Sequence, residues 1–318
     1  MRITLTGKQY PSRLGDCLNG HLVTALVGMS KNAGKTTVLN HLLGHFRQGG
    51  MTVAITGIGR DGEDTDIVTG TKKPKIYVPP GSIVATAEAL LGLSDITPEI
   101  IEATGFRTPM GRVIIARALS AGFVQLGGPS VSCQLSELLK TLKAHKAGKV
   151  LIDGAVSRKS ASSPHLAQAV VLCTGASLAS SMDEVVRSTR FAAGMLMLPP
   201  PRGPAATGQA SPAPPDDDCV QVRVCGALTN AKINNLLASG RVLRGTEIIC
   251  DDPSKILISQ STCEKLAARG ASLAVESPAN LAAIAVNPVS ARGFSFKKDV
   301  FLQKMAEAVP VPVFDVCQ

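Results

Sequence analysis

A lysine followed by two threonines, Lys35, Thr36 and Thr37, stands where an apolar run gives way to a helical pattern. The run covers residues 22–27 and is rich in the β-branched residues that favour strands. The turn between the two patterns contains two glycines. A strand, a glycine-containing loop and a Lys-Thr helix start together form a phosphate-binding loop. Its N–H groups surround phosphate oxygens, and the helix dipole adds a positive end.

The loop residues each have an expected role. Lys35 would bridge the β- and γ-phosphates of a nucleotide, and the Thr36 hydroxyl would sit on Mg²⁺. The motif serves ATP and GTP alike, so both stay open as ligands. The residues expected to bind the nucleotide are Asn32, Ala33, Gly34, Lys35, Thr36 and Thr37.

The spacing of the glycines departs from the usual motif, in which four residues separate the first Gly from Gly-Lys-Ser/Thr. Counting back from Gly34 places Met29 at the first glycine position and Gly28 one residue earlier. Either the loop is one residue longer, or the first position tolerates Met. A chance Gly-Lys-Thr at an ordinary helix start is the alternative, and the flanking strand and helix argue against it.

A second apolar run, KVLIDG at 149–154, carries an acid at its end. Enzymes with phosphate-binding loops use such an Asp to hold Mg²⁺ or its water shell, so Asp153 is a candidate catalytic and metal-binding residue. Asp-Gly also makes turns without any chemistry. The phosphate-binding loop upstream favours the metal interpretation.

Two further segments carry candidate residues. The stretch GIGRDGEDTD at 57–66 places acids directly after a strand, on the ligand side of an open α/β sheet, and Asp61 or Asp64 is the expected catalytic group. A hydrated acidic loop is the alternative. Asn287, before Pro288, follows the last buried strand and is a candidate for contacting the nucleotide base, although Pro turns commonly have no such role.

The alternation of apolar runs and helical stretches between residues 22 and 199 predicts an α/β fold, with a mainly parallel sheet flanked by helices as in P-loop NTPases. In this part strands are expected at 22–27, 52–56, 113–116, 149–152 and 169–173, and helices at 34–47, 83–91, 133–145 and 180–198. After residue 218 they are expected at 220–224, 247–250, 271–275, 281–286 and 311–316, and at 231–239, 263–269 and 298–309.

Composition shifts predict the domain boundaries. Residues 199–218, PPPRGPAATGQASPAPPDDD, are dominated by Pro, Gly, Ala and acid, which is typical of a linker. We therefore expect a nucleotide-binding domain at 1–198 and a smaller C-terminal α/β domain at 219–318.

The overall composition narrows the function classes. The chain has 318 residues, 45% of them hydrophobic but only 3% aromatic, and a net charge of +9 that is spread along the sequence. Basic residues without interleaved aromatics argue against nucleic-acid binding. The eight cysteines form no C-x-x-C pair, which favours free thiols over zinc or disulfides. Neither a signal peptide nor a membrane span is evident, so we expect a cytoplasmic protein.

Several segments together are similar to one known family. These are VGMSKNAGKTTVLNHL, LIDGAVSR, VVLCTGASLASSMDEVVRSTR, NPVSARGFSF and PVPVFDV. They resemble the P-loop subunit of the two-component reactivating factor of lysine 5,6-aminomutase, a SIMIBI-type P-loop NTPase of amino-acid-fermenting bacteria. The resemblance covers most of the chain outside the linker. The loop segment alone is equally similar to dethiobiotin synthetase-like ligases and molybdopterin-guanine dinucleotide accessory GTPases.

The resemblance implies ATP hydrolysis coupled to the expulsion of damaged cobalamin from an aminomutase. It also implies a MutS-like ATPase subunit as partner, and Mg²⁺ with ATP as cofactors. From the family's site, Lys35, Thr36 and Asp153 carry over. The departure at Met29 affects the detailed geometry of the loop.

Three functions are compatible with these residues. The first is a nucleotide-driven accessory protein that acts on a partner protein, and the second is a ligase or kinase for a small molecule. The third is a module that binds nucleotide without hydrolysis and assembles a complex. The sequence has no evident basic pocket for a carboxylate substrate, and a scaffold would not need both Lys35-Thr36 and Asp153. We therefore favour the accessory protein, for which a homo-oligomer is also compatible.

Overall fold

The computed structural model describes residues 13–59, 76–154, 159–203 and 220–315. The chain forms two compact units, one comprising Met1–Arg190 with Leu281–Gln318 and the other Phe191–Asn280. The second unit is therefore an insertion into the first. Among the described helices, none has the length and apolar character that crossing a membrane requires.

The described elements alternate along the chain in the α/β manner. The strands are β1 (Val23–Gly28), β2 (Val53–Gly57), β3 (Ile76–Val78), β4 (Ile83–Ala87), β5 (Pro98–Thr108), β6 (Gly111–Ala118), β7 (Gly122–Val124), β8 (Lys149–Gly154), β9 (Ala169–Gly175), β10 (Gln221–Arg223), β11 (Leu228–Thr229), β12 (Glu247–Cys250), β13 (Ile256–Leu257), β14 (Ser272–Val275), β15 (Leu281–Asn287) and β16 (Val313–Asp315). The helices are α1 (Lys35–Gln48), α2 (Glu88–Gly92), α3 (Ser132–Ala144), α4 (Met182–Leu196), α5 (Asn230–Ala238), α6 (Gln260–Ala268) and α7 (Lys298–Ala308).

The first unit is built on a nine-stranded sheet in its described part, ordered β16-β15-β9-β1-β8-β2-β4-β6-β5. Every pairing from β16 to β4 is parallel, whereas β6 pairs antiparallel with β4 and with β5. Parallel strands end at a common edge, so the residues after β1, β2, β8, β9 and β15 come together.

The central strands are buried on both faces, which explains their unbroken apolar sequences. All residues of β1 and β9 are buried. Helix α1 turns its apolar stripe, including Val38, Leu42 and Phe46, into the same cluster as Leu26 of β1 and Leu151 of β8. This packing fixes the start of α1 over the ends of the strands.

The second unit has its own small parallel sheet, ordered β10-β12-β14, and a pair formed by β11 and β13. Its core includes Ile233 of α5, Leu266 of α6 and Ile248 of β12. Glu247 is almost fully buried, and its Oε2 accepts hydrogen bonds from Arg202 N and from Gln221 Nε2, both at 3.0 Å. The chain before the insertion's sheet is thus held to it by a buried carboxylate.

The expected α/β class with a large, mostly parallel sheet flanked by helices is confirmed. The helix expected at 83–91 is wrong, because residues 83–87 form β4 between β2 and β6 and only Glu88–Gly92 is helical. The strand expected at 113–116 is part of a long β5–β6 hairpin. A short apolar run is compatible with either a strand or a helix. At residues 83–87 the pairing with β2 and β6 favours the strand.

The domain boundaries also differ from those expected. The segment 219–318 is divided between the units, because β15 pairs in parallel with β9 and carries the chain back into the first sheet. Residues 191–198, expected in the first domain, belong to the second unit. Of the expected linker, residues 204–218 lie outside the described residues.

Candidate functional site

The loop between β1 and α1 has the backbone that a phosphate-binding loop needs. Gly34 precedes the helix in the left-handed conformation (φ 88°), and its carbonyl accepts from Val38 N at 3.0 Å. Asn32 also has a positive φ, 59°. The first-turn N–H groups of α1, including those of Lys35 and Thr36, have no acceptor within the helix and face outward from its start. This end of α1 therefore offers an array of donors to an anion.

The side chain of Lys35 turns back over Gly28. A Cβ atom at Gly28 would lie 2.7 Å from Lys35 Nζ and 2.9 Å from its Cδ, so a larger residue here would displace the lysine side chain from its present position. Met29 lies after this point, and its N–H donates to the carbonyl of Cys173 at 2.8 Å. This close approach favours Gly28 as the first motif glycine, and so favours the longer loop among the alternatives that the glycine spacing left open.

One hydroxyl in the loop is buried without a protein partner. Ser30 Oγ is inaccessible to solvent and makes no hydrogen bond within the described part of the chain. A buried, unpaired hydroxyl costs roughly 1–3 kcal/mol. The geometry of Ser30 is therefore favourable only when something else, such as a ligand oxygen, supplies the hydrogen bond.

Asp153 lies at the edge where the loop begins. In the sheet it is opposite Leu26 of β1 on one side and Gly57 of β2 on the other, and its carbonyl accepts from Ile58 N at 3.1 Å. Its Oδ1 is buried. The structure thus brings together the strand-end acid and the loop between β1 and α1, two features that the sequence separates by more than 100 residues.

Cys173 is a site residue that sequence reasoning missed. It lies at the end of β9, is fully buried, and is close enough to interact electrostatically with Lys35 and Asp153. Burial raises the pKa of its thiol to about 12, Lys35 acts to lower it, and Asp153 raises it further. The thiol is therefore a neutral packing group, and scattered cysteines in the sequence gave no signal of its position.

Asn287 lies beside the loop, at the end of β15. Its Nδ2 donates to the carbonyl of Asn32 at 3.4 Å, and its Oδ1 accepts from Val289 N at 2.9 Å. The structure therefore places the candidate base-contacting residue against the backbone of the phosphate-binding loop.

The remaining candidates are placed as follows. Thr36 and Thr37 are half-buried in the first turn of α1, and Ala33 is buried below it. Asp61 and Asp64 lie outside the described residues, as do Glu63 and Asp66.

In the parts of the chain that are described, no three His, Cys, Asp or Glu side chains are grouped as a metal site. A cation here would rely on Asp153, Thr36 and ligand oxygens, as Mg²⁺ in phosphate sites does.

A cavity of about 170 Å³ opens at the same edge of the sheet, beyond β2. The floor of the cavity is formed by the segment at residues 127–130. Two hydrogen bonds hold this segment across the ends of β2 and β4, one from Gly59 N to Pro129 O and one from Ala87 N to Gly127 O. The tip of the β5–β6 hairpin forms its other side. Its described lining contains no charged side chain and includes Gly59, Ala87, Met110, Gly127, Gly128 and Ser130. The sequence did not predict this cavity, because the hairpin was recognised only in part.

Comparison of the chain with protein-family models, with curated proteins and with solved structures gives no match. The functional conclusion therefore depends on the geometry of this edge and on the sequence motifs.

Proposed function

We propose that this protein binds and hydrolyses a nucleoside triphosphate and uses that reaction to act on a partner protein. The observation that carries the proposal is the convergence of Lys35, Ser30 and Asp153 at one edge of a parallel sheet, beside a helix start. A bound triphosphate would supply partners for Lys35 and for the Ser30 hydroxyl, and Asp153 lies at the same edge, where the accompanying cation would bind.

The residues present fit a nucleotide with its cation. The loop backbone from Asn32 to Thr37 would surround the phosphates, and Lys35, bent over Gly28, would contact the β- and γ-phosphates. A phosphate oxygen would supply the partner that the buried Ser30 hydroxyl lacks among the described residues. Thr36 and Asp153 would hold Mg²⁺, which when bound supplies charge neutralisation at the phosphates. ATP is the nucleotide we propose, with GTP as the alternative.

The resemblance to the aminomutase reactivating factor supports a specific partner. We propose an ATP-dependent reactivating subunit for a cobalamin-dependent aminomutase, acting with a MutS-like ATPase subunit in the cytoplasm. Hydrolysis would change the loops at the sheet edge, including the acidic segment with Asp61 and Asp64, and so alter contacts with the partner.

A second candidate function is transfer of a phosphoryl group to, or ligation of, a small molecule. The cavity beyond β2 favours it, because a substrate there would lie at the same edge as Asp153. Its described lining has no cation for a carboxylate, which argues against a dethiobiotin synthetase-like substrate. A module that assembles a complex without hydrolysis is the remaining alternative.

The deciding experiment mixes the protein with the MutS-like subunit, Mg-ATP and an aminomutase inactivated by damaged cobalamin, and then adds fresh adenosylcobalamin. We expect aminomutase activity to return with the wild-type protein and not with Lys35→Ala. No recovery, together with rapid ATP consumption on addition of a small-molecule substrate, would favour the transfer enzyme. Tight ATP binding without any hydrolysis would favour the assembly module.

A further inference from the structure

The turn that follows β15 is fixed in place by its main chain. Ala176 N donates to the carbonyl of Asn287 at 2.9 Å, and a Cβ atom on Gly175 would lie only 2.2 Å from that carbonyl oxygen. The ends of β9 and β15 therefore approach each other as closely as two backbones can. This contact sets the position of the Asn287 Cα, and hence the reach of its side chain.

The side-chain amide of Asn287 is oriented by its own turn. Its Oδ1 accepts from Val289 N at 2.9 Å, an Asx-turn bond that fixes the rotamer. With the oxygen held there, Nδ2 is directed at the carbonyl of Asn32, 3.4 Å away. The amide oxygen thus accepts a hydrogen bond within the turn, and the amide nitrogen donates one to the phosphate-binding loop.

Asn32 is a residue at which such a contact matters. Its φ of 59° is in the left-handed region, which asparagine tolerates better than most residues but which is less favourable than the right-handed region for every residue except glycine. A hydrogen bond to its carbonyl stabilises that conformation. The peptide planes after Asn32 carry the N–H groups of Ala33 and Gly34, so the conformation of Asn32 determines where these donors point.

We propose that Asn287 is a positioning residue that holds the phosphate-binding loop in its anion-binding conformation and does not read the nucleotide base. The inference rests on the proposed nucleotide binding and deepens it. An amide has one carbonyl and two N–H groups, and the carbonyl with one N–H is already engaged here. Discrimination between ATP and GTP must then come from other residues.

The test compares a ligand that has a nucleotide base with a triphosphate ligand that has none. Calorimetry measures the affinity of wild type and Asn287→Ala for Mg-ATP and for magnesium tripolyphosphate. A positioning role predicts the same loss for both ligands, roughly three- to tenfold for one hydrogen bond. A loss confined to ATP, with tripolyphosphate unaffected, would overturn the proposal. Wild-type protein that binds neither ligand would contradict the proposed function instead, which is a distinguishable result.

A double-mutant cycle tests the contact itself. Glycine adopts a positive φ without strain, so in an Asn32→Gly background the substitution Asn287→Ala should cost less than about twofold in tripolyphosphate affinity. An equal cost in both backgrounds would show that Asn287 acts elsewhere. Where Asn287→Ala does not fold, Asn287→Ser serves, because its hydroxyl keeps a turn acceptor but is too short to reach Asn32.

The matched control is Asn230→Ala in the second unit. Asn230 Oδ1 accepts from Ser259 N at 2.8 Å, so the same side-chain atoms and a comparable bond are removed within the other unit. We expect the Asn230→Ala variant to bind both ligands with the affinity of wild type. An equal loss in this control would mean that the effect of Asn287→Ala is general destabilisation.

Discussion

The two edges of the large sheet use similar residues in opposite ways, and β8 connects them. Its first residue, Lys149, lies at the edge where the strands begin, and Asp153 lies at the edge where they end. Each edge also has a lysine with a restricted side chain, Lys149 at one and Lys35 at the other. Their surroundings separate a structural role from a chemical one.

At the edge where the strands begin, the lysine is fully hydrogen-bonded by the backbone around it. Lys149 is almost fully buried, and its Nζ donates to three carbonyls, those of Leu18 at 2.6 Å, Asn19 at 2.8 Å and His21 at 2.7 Å. The ammonium also lies 5.1 Å from the centre of the Phe46 ring, which adds a cation–π contact. This lysine fastens the segment before β1 to the sheet.

At the edge where the strands end, the donors are left without such acceptors. Lys35 Nζ interacts electrostatically with Cys173 but has no carbonyl cage like that of Lys149 among the described residues, and Ser30 Oγ is buried without a partner among them. Native proteins pair nearly all buried polar groups, so the Ser30 hydroxyl requires a partner such as a ligand oxygen or an ordered water, as does the buried Thr24 hydroxyl in β1. The comparison therefore predicts that mutations at one edge change stability and that mutations at the other change binding.

The largest expected effect is at Lys149. Lys149→Met keeps the apolar stem but leaves three carbonyls without their donor, so we expect the free energy of unfolding to fall by about 3 kcal/mol. Nucleotide affinity of the folded protein should not change. Urea denaturation gives the first quantity and calorimetry the second. The control is Lys140→Met at an exposed position on α3, which should be neutral. A stable Lys149→Met protein that has lost ATP binding would reverse our assignment of the two edges.

Lys35→Ala should have the opposite profile. It removes a charge-assisted contact with the triphosphate, and Mg-ATP binding should weaken by about 1.5–3 kcal/mol or more. The melting temperature should stay within a degree or two of wild type, because no bond to a described residue is lost. Lys31→Ala, at an exposed position in the same loop, is the control and should change affinity by less than about twofold. Equal affinities of wild type and Lys35→Ala would refute the phosphate-binding assignment.

Asp153→Asn tests the other end of β8. The amide keeps the shape of the carboxylate but loses the charge for Mg²⁺, so ATP hydrolysis should fall at least tenfold, a barrier increase of about 1.4 kcal/mol. The melting temperature should be nearly unchanged. Asp95→Asn, an exposed position, controls for the lost charge. A variant that unfolds easily while its folded fraction hydrolyses ATP normally would mean that Asp153 only shapes the turn.

The sequence predicted those parts of the fold and of the candidate site that are determined by neighbouring residues in the chain. The strand before Lys35 and the strand ending in Asp153 were predicted within one or two residues, because continuous apolar runs and turn residues lie next to each other in the chain. That both end at one edge follows from parallel pairing. The roles of the residues at that edge remain predictions.

What the sequence did not show depends on distant pairing. The return of β15 to the first sheet spans the whole second unit, so no composition shift marks it. The sequence placed Lys149 at the start of a strand without indicating its partners, and only the fold reveals three carbonyls around its Nζ. Cys173 and Asn287 gain their positions in the same way, from strands brought together across more than 100 residues.

The smallest effect concerns two thiols, the buried Cys173 and the half-buried Cys17. Burial raises the pKa of Cys173 to about 12 and that of Cys17 to about 11, with Asp16 adding to the effect at Cys17. In the unfolded chain these thiols lose their protons from about pH 9, whereas in the folded protein they stay neutral. The unfolded state therefore binds fewer protons above pH 9, and stability falls as the pH rises from 9 towards 11 or 12.

Cys173→Ala isolates the contribution of the thiol at the ligand edge. Its unfolding free energy should be lower than that of wild type at pH 7, because a small cavity forms, but it should decline less between pH 8 and pH 10. The difference in decline should be on the order of 1 kcal/mol for one buried thiol. Comparing each variant with wild type cancels the titration of all other groups. A parallel decline in the two proteins would mean that Cys173 already reaches solvent in the folded state. Cys17→Ala should give a nearly equal difference over this pH range, because the folded-state pKa values of both thiols lie above pH 10.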